Sequence, residues 1–389
     1  IVTEIFLFID ALGWRIAGEH HFLLAELPCR QALEMQFGYS CAAIPTLLSG
    51  QKPAVHGHLS LFRFAPEASP FRTIARLAPL LKPDWLWSRG RVRNQLSKWL
   101  KRHHGFTGYF QIYNLPFRKL GMMDCCEKQN LFVRNGMAPE ENLCDLLEAS
   151  GLPYHISDWH LRDEENFRAG MDAIRGGAKF LFLYAAELDA VLHRHVRHQE
   201  AIAEKLRWYE GQVRALMAFA QSHCGDFRLT VVSDHGMTAF SHAVNPAAAI
   251  DATGLRFGED YGACFDSTMA RFYYLKPNAE KLIRQAMRRF DGDGHFLSRE
   301  EESRYGILRE DRLFGDAIFL VRPGVQIVPS DMASKPLDGM HGYAPDDGDS
   351  VASLLSTAPI PEDVRQLADV FGLMKARAGR LAASPGGGT

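Results

Sequence analysis

Four places in the chain set carboxylates and imidazoles at spacings that suit a metal ion. Asp10 ends the apolar run "EIFLFID", and "ELDAVLH" carries Asp189 and His193 four residues apart. "VVSDHG" holds Asp234 beside His235, and "DGMHG" presents His341 late in the chain. A carboxylate and an imidazole at i and i+4 lie on one face of a helical turn and can grip one ion. Asp-His in direct succession cannot share a helix face, but at a strand end it can aim both groups into one crevice. Mixed Asp and His donors suit a borderline divalent cation, zinc foremost, with manganese or iron as alternatives. Singly the signals are weak: an Asp at a strand end is often a helix cap, and His195 and His198 match His193 by composition. The "SDHG" is more distinctive, because an unpaired buried acid beside an imidazole is costly without a counter-charge. Their joint occurrence is the argument for a metal site.

A nucleophile is less obvious. The stretch "FGYSCAAIPTLLSG" (37–50) offers Ser40, Cys41 and Thr46, and locally any of them, or none, fits the role.

The elements that must position these groups read as buried strands. "EIFLFIDAL", "AKFLFLYAAELD" (178–189) and "FRLTVVSDHG" (227–236) each run apolar first and polar at the carboxyl end, as strands buried on both faces do. Between the second and third, "HQEAIAEKLRWYEGQVRALMAFAQSH" repeats its apolar residues every three and four, the pattern of an amphipathic crossover helix. The expectation is an α/β three-layer sandwich with a mostly parallel central sheet, whose ligands gather at the carboxyl ends of its strands.

At 389 residues the chain is long enough for one large α/β core with insertions, or two domains. A net charge of −2 excludes a nucleic acid duplex as a bulk partner, since phosphate-backbone binding needs surplus Lys and Arg. The seven cysteines are odd in number, scattered and without a CxxC pair, which fits a reducing, cytoplasmic compartment. No apolar run is long enough to be a transmembrane segment, and "IFLFIDAL" is short for a signal sequence and contains an acid. The chain opens at Ile1 rather than Met, so a removed leader is compatible with it.

In order, an Asp at the first strand end, a hydroxyl, D-x-x-x-H, D-H-G and a late H-G resemble the alkaline phosphatase superfamily. The resemblance is nearest to its type I phosphodiesterase and nucleotide pyrophosphatase branch, and covers about residues 4–345. In that superfamily the nucleophile lies ten residues before a Gly that closes a short helix, and the count back from Gly50 reaches Ser40. "QKPAVHGH" is similar to the family's Pro-x-x-His-Gly, placing Pro53, His56 and Gly57. The resemblance implies two divalent metal ions, one held by Asp10, Ser40, Asp234 and His235, the other by Asp189, His193 and His341. It implies that catalytic Ser40 takes the phosphoryl group covalently and water then releases it. Two ions about 4 Å apart can stabilise the attacking and leaving oxygens of such an in-line displacement.

Departures are visible. Where the diesterase branch carries Pro two residues after its nucleophile and then Asn, this chain has Ala42 and Ala43, and its proline is Pro45. Proline is comfortable only in the first turn of a helix, which leaves the helix start open. Cys41 lacks the Pro and Arg of the sulfatases' modified-cysteine motif. Tyr184 stands five residues before Asp189, where monoesterases place an extra acid, and Glu187 stands two before it, as in diesterases. This favours diesters over the alternative, a phosphomonoesterase or phosphotransferase. The substrate expected is a small-molecule, sugar-linked or lipid-linked phosphoester. Tyr39, Cys41 and Arg271 are candidate substrate contacts, with Asp266 and Thr268 beside Arg271. Trp14, Phe37 and Tyr39 could stack on a leaving group, or be ordinary packing.

Two stretches look inserted in the metallohydrolase core (1–270 and 331–380). Residues 59 to about 150 form a lid-like insertion whose segment 87–104 is basic: a peripheral membrane contact or substrate lid, or a solvated helix face. Residues 271–330 read as a small α+β cap, and 381–389 as a flexible tail. "DGDGHFLSREEE", from Asp291, mimics a calcium loop, but its sixth position is Phe296 where Gly is required.

Overall fold

The computed structural model describes residues 2–75 and 89–383. Its centre is a six-stranded sheet in the order Cys29–Leu33, Ala352–Ser356, Phe227–Val232, Thr3–Ile9, Phe180–Ala185, Tyr154–Ile156. Only Ala352–Ser356 runs against its neighbours, so the sheet is mostly parallel.

Alternation along Thr3–Ile9 explains the layers. Ile5, Leu7 and Ile9 face Phe167, Leu188, Leu206 and Val213 of three helices: Asp163–Arg175, Glu187–His195 and Gln199–Cys224. Phe6 and Phe8 face the other way, onto Leu47, Leu147 and Met374 of the helices Ser40–Ser49, Leu143–Ser150 and Asp369–Ala383. All seven residues of the strand are buried, as an apolar run covered on both faces must be. The fold is the α/β three-layer sandwich expected, with the crossover helix at Gln199–Cys224. In register, Ile9 lies opposite Ala185 and Phe8 opposite Val232. Asp10, Asp189 and Asp234 therefore follow strands that end together.

The insertions differ in extent from the sequence reading. The small antiparallel sheet comprises Tyr261–Phe265, Met269–Tyr274, Ala317–Val321 and Gly294–Phe296, so it starts ten residues before 271. Gly294–Phe296 pairs with Ala317–Val321, so the stretch resembling a calcium loop is drawn into a strand, and Asp293 accepts from His242 at 2.7 Å. The chain returns to the core at Leu143–Ser150, whose Leu143 and Leu147 pack under the main sheet. Within the basic segment, residues 87 and 88 lie outside the described residues and Gly90–His103 is a helix. Arg93 donates to the carbonyls of Tyr113 and Leu115 at 3.0 and 2.8 Å, and Lys101 lies over the Trp159 ring. Two of the basic side chains thus fasten the insertion. Of the tail, Leu381–Ala383 close the last helix and 384–389 lie outside the described residues. No helix among the described residues is long and apolar enough to cross a membrane.

One buried charge network ties the last helix to the central strand. Glu4, 1% exposed, accepts from Arg377 at 3.2 Å and from Arg228 at 2.9 Å, and Arg377 also donates to Thr230 at 2.7 Å. Removing one member of a buried pair strands the other in low dielectric. Arg377→Met should lower unfolding stability by about 3 kcal/mol, read as a shift of the urea midpoint with an unchanged slope.

Candidate metal centre

The three strand ends deliver their acids to one place because their register aligns them. Asp10, Asp234 and His235 place one ligand atom each within 4.8 Å of one another, and Asp189, His193 and His341 do the same. The two groups share a wall: the rings of His235 and His341 stack at 3.7 Å, inclined by 11°. Ser40, the first residue of its helix, holds Oγ 3.3 Å from His235 Nε2. All seven predicted metal ligands therefore converge.

Backbone carbonyls orient the imidazoles. His235 Nδ1 lies 2.8 Å from the Gly236 carbonyl, and His193 Nδ1 2.8 Å from that of Gly339. A carbonyl only accepts, so each ring carries a proton on Nδ1 and turns Nε2 inward. Inward means towards carboxylates: His235 Nε2 is 3.5 Å from Asp10 and 3.3 Å from Asp234, and His193 Nε2 is 3.3 Å from Asp189. A cation between these nitrogens and carboxylates would be shared by both, and without one a proton bridges His193 and Asp189, which, against burial, raises the imidazole pKa. Asp10 Oδ1, Asp234 Oδ2, Asp189 Oδ1 and His341 Nδ1 are all buried without a hydrogen-bond partner. Buried polar atoms are ordinarily satisfied, so four orphans in one cluster fit a divalent cation in each group.

The electrostatics say the same. Burial, then the neighbouring Asp234 and Asp189, pushes Asp10 well above the usual carboxylate range, and burial raises Asp234. Burial also works to raise Asp189, but His193, His341 and His235 outweigh it and hold that carboxyl low. Burial and the stacked His235 push His341 well below the ordinary imidazole value.

Close approach builds the wall. Gly236 passes so near the Asp349 carbonyl that a Cβ would lie 2.1 Å from its oxygen. Gly342 has φ +90°, and a Cβ there would meet Tyr39 Cε1 at 2.7 Å. Tyr39 donates to Thr268 Oγ1 at 2.7 Å and accepts the Thr268 amide at 3.0 Å, while Thr268 donates to the Gly342 carbonyl at 2.7 Å. Tyr39 also meets the edge of His341. The D-H-G and H-G glycines are thus contact requirements rather than turn residues alone.

The nucleophile candidate starts a helix, Ser40–Ser49, with Tyr39 at its cap and Gly50 in the left-handed conformation closing it. Pro45 sits inside this helix, beyond the first turn where proline is comfortable, and the helix begins at Ser40. Proline has no amide to give the Cys41 carbonyl, so the loss falls at the pocket end, where the helix has least to hold it. Other bonds compensate. Thr46 donates to the Ala42 carbonyl at 2.9 Å and contacts His56 Nε2 at 3.0 Å. His56 Nδ1 accepts the His58 amide at 3.1 Å, so its proton is on Nε2, and burial holds its pKa down at about 2. The Pro-x-x-His-Gly stretch braces the nucleophile helix from outside the site.

A cavity of about 440 Å³ opens onto the cluster and is lined by Tyr39, Ser40 and Cys41 as well as Asp189, His193 and His341. The insertion supplies a wall that sequence reasoning missed: Tyr109, Tyr113, Glu127 and Phe132, with Trp159 and Tyr184 from the core. Their one readable signal was the aromatic content of 59–150. Arg271 is not in this lining. It is 1% exposed, its Nε donates to Asp266 at 2.8 Å, and its guanidinium reaches the Phe62 carbonyl at 2.5 Å. It serves the strand rather than a substrate. Phe37 stacks on Tyr305, and Trp14 packs on the main core, so neither reaches the cavity. Glu187 pairs with Lys205 at 2.7 Å.

A raised carboxyl pKa means the native metal-free protein holds protons the unfolded chain has lost. The stability linked to Asp10 and Asp234 is therefore full below about pH 4 and declines as pH rises through their native values. Asp10→Asn should raise the stability of chelator-treated protein at pH 7 by on the order of 1 kcal/mol, seen as a higher thermal midpoint, and weaken metal binding. Thermal scans across pH with and without chelator check both.

Residues 38–344 match the sequence model of the family described as Type I phosphodiesterase / nucleotide pyrophosphatase. No curated protein matches the chain in sequence. Among solved structures it is similar to murine ectonucleotide pyrophosphatase/phosphodiesterase 5, at 13% identity and TM-score 0.68, over 97% of this chain and 95% of that one. The human protein of the same name is similar at 12% identity and TM-score 0.68, with the same coverage. An inactive variant of the murine protein in complex with AMP gives TM-score 0.67 at 13% identity, again over 97% and 95%. These likenesses concern the fold. The family match spans most of the chain, which belongs to the type I phosphodiesterase/nucleotide pyrophosphatase family of phosphoric ester hydrolases in the alkaline phosphatase superfamily.

Proposed function

We propose that the protein is a two-metal phosphodiesterase in which Ser40 is the nucleophile. The observation that carries this reading is the meeting of Ser40 Oγ with two facing Asp/His groups at the mouth of one cavity. Asp10, Asp234 and His235, with Ser40 Oγ, would hold one divalent ion, and Asp189, His193 and His341 the other. Bound there, zinc, manganese or iron would lower the serine pKa and stabilise charge on the attacking and leaving oxygens.

The chain's own part follows from its geometry. Ser40 Oγ passes its proton to solvent and forms a bond to phosphorus, while the opposite ester oxygen leaves with the bonding pair and takes a proton from solvent. Water then breaks the seryl–phosphorus bond and restores Ser40. The amides of Ser40 and Cys41 open the helix without intrahelical acceptors, and would hold a non-bridging oxygen where the family's Asn is missing.

A diester is favoured over a monoester by charge. Among the described residues no Arg or Lys lines the cavity, and Arg271 is engaged by Asp266. A dianionic monoester lacks its clamp, whereas a monoanionic diester needs less. Tyr184, where a further metal-binding acid would stand, stacks on Phe8 at 5.3 Å. The aromatic cavity suits a nucleotide-type substrate, and the AMP bound by the inactive murine relative agrees with that class. Exposed Arg91, Lys98 and Arg102 would favour approach to an anionic, lipid-linked alternative. Free cysteines throughout fit a reducing, cytoplasmic setting.

Ser40→Ala should cut turnover by on the order of a thousandfold or more, with metal content by elemental analysis nearly unchanged. Undiminished turnover in that variant rules the mechanism out. Bis(p-nitrophenyl) phosphate should be cleaved faster than p-nitrophenyl phosphate. The reverse order would favour the phosphomonoesterase or phosphotransferase alternative.

A further inference from the structure

A third donor cluster lies beside the one described. Cys41 Sγ, Cys126 Sγ and a Glu127 carboxylate oxygen all fall within 4.8 Å of one another. Cys41 is the second residue of the nucleophile helix. Cys126 and Glu127 follow the short strand Met123–Cys125, which pairs with Phe62–Phe64 and fixes the loop to the insertion. The Cys126 amide donates to the Leu61 carbonyl at 3.0 Å, so the backbone presenting both side chains is held. Nothing in the two-metal reading uses any of these three groups.

Their environment is unusual for ordinary packing. Glu127 is 8% exposed, and among the described residues no cation pairs with it. Lys128 goes to Asp124 at 2.7 Å, and Lys101 stands over Trp159. Burial pushes the Glu127 carboxyl up to about 8, opposed by the Tyr109 amide and the more distant Lys101 charge. The hydrogen bond that the Cys126 thiol donates to Cys41, then burial, holds that thiol well above its ordinary value. Two sulfurs and a buried carboxyl without a partner cation thus converge at a cavity wall, an arrangement that a bound cation would satisfy.

We propose that Cys41, Cys126 and Glu127 form a third metal site, for a thiophilic divalent cation such as zinc. Two thiolates and a carboxylate make a three-ligand set of the kind that leaves a tetrahedral ion one open position. Cys41 and Glu127 both line the cavity, so that position faces the space Ser40 faces and takes water or a substrate donor atom. Binding releases the two thiol protons and the carboxyl proton to solvent. The remaining net negative charge lies against the start of the helix Ser40–Ser49, where the helix dipole favours it. The other two groups contain only oxygen and nitrogen donors, so sulfur distinguishes this site from them. Its existence does not depend on the two-metal reading.

The test is cobalt substitution of the full-length, chelator-treated protein under reducing conditions. Thiolate ligation produces an intense near-ultraviolet sulfur-to-cobalt band that oxygen and nitrogen sites do not. The expected result is such a band in the wild type, with about three ions per chain by elemental analysis. Cys126→Ser should lose the band and retain about two ions, and Glu127→Gln should keep the band but need at least about tenfold more cobalt to saturate it. A wild type that binds cobalt without the band, or a band that survives in Cys126→Ser, overturns the proposal. So does a Cys41–Cys126 disulfide that persists in reductant. Failure of the two-metal reading would appear instead as loss of the oxygen and nitrogen sites with the band intact.

Discussion

Three carboxylates gathered after the ends of three adjacent parallel strands, two of them buried and Asp189 half-buried, are the constraint around which this molecule is arranged. Asp10, Asp189 and Asp234 arrive together because Thr3–Ile9 lies between Phe180–Ala185 and Phe227–Val232 and the three end in register. Packing alone would not place them so, since burial and the neighbouring carboxylates push Asp10 well above the ordinary carboxylate range, and burial raises Asp234. Hydrophobic burial on both faces of the sheet supplies the stability that lets the strand ends hold this charge. The left-handed φ of +62° at Ala11, directly after Asp10, is a further local strain at the same edge.

The helix that begins at Ser40 shows a second kind of compensation. Pro45 removes an amide from the turn that must present Ser40, yet the turn is kept by Thr46, which bonds back to Ala42, and by His56 behind it. His56 is neutral and points away from the reacting centre, so its motif is a matter of helix position rather than chemistry. This explains how the chain departs from its relatives at 42–45 and still brings Ser40 Oγ to His235.

The convergence of Asp10, Asp189 and Asp234 was legible in the sequence because each follows an apolar run, and a parallel sheet turns such ends towards one edge. The alternating faces of Thr3–Ile9 and the crossover helix were legible for the same reason: their periods are local. What was not legible depended on partners far off in the chain. Arg271 reads as a candidate anion contact until Asp266 and the Phe62 carbonyl are seen to enclose it. Phe37 and Tyr39 are two residues apart, yet one stacks on Tyr305 in a core and the other lines the cavity. No periodicity marks Tyr109, Tyr113 or Glu127, because the insertion that carries them has little regular structure of its own.

That insertion and the small sheet divide a single task. The cap span 271–330 contributes no side chain to the cavity among the described residues, while the insertion contributes most of one wall. Yet Cys264 and Tyr273 of the small sheet share a core with Leu61, Phe62, Phe110 and Leu115 of the insertion. The Phe62 carbonyl is held by Arg271 from that same sheet, and Ser60 donates to Asp266 at 2.5 Å. The buried Asp266–Arg271 pair is therefore the fastening between cap and wall. The cap would then act on the cavity through rigidity alone, since its side chains do not line it. Changes at Tyr109 or Tyr113 would act on which leaving group fits, whereas changes at Asp266 or Arg271 would loosen the wall for all of them.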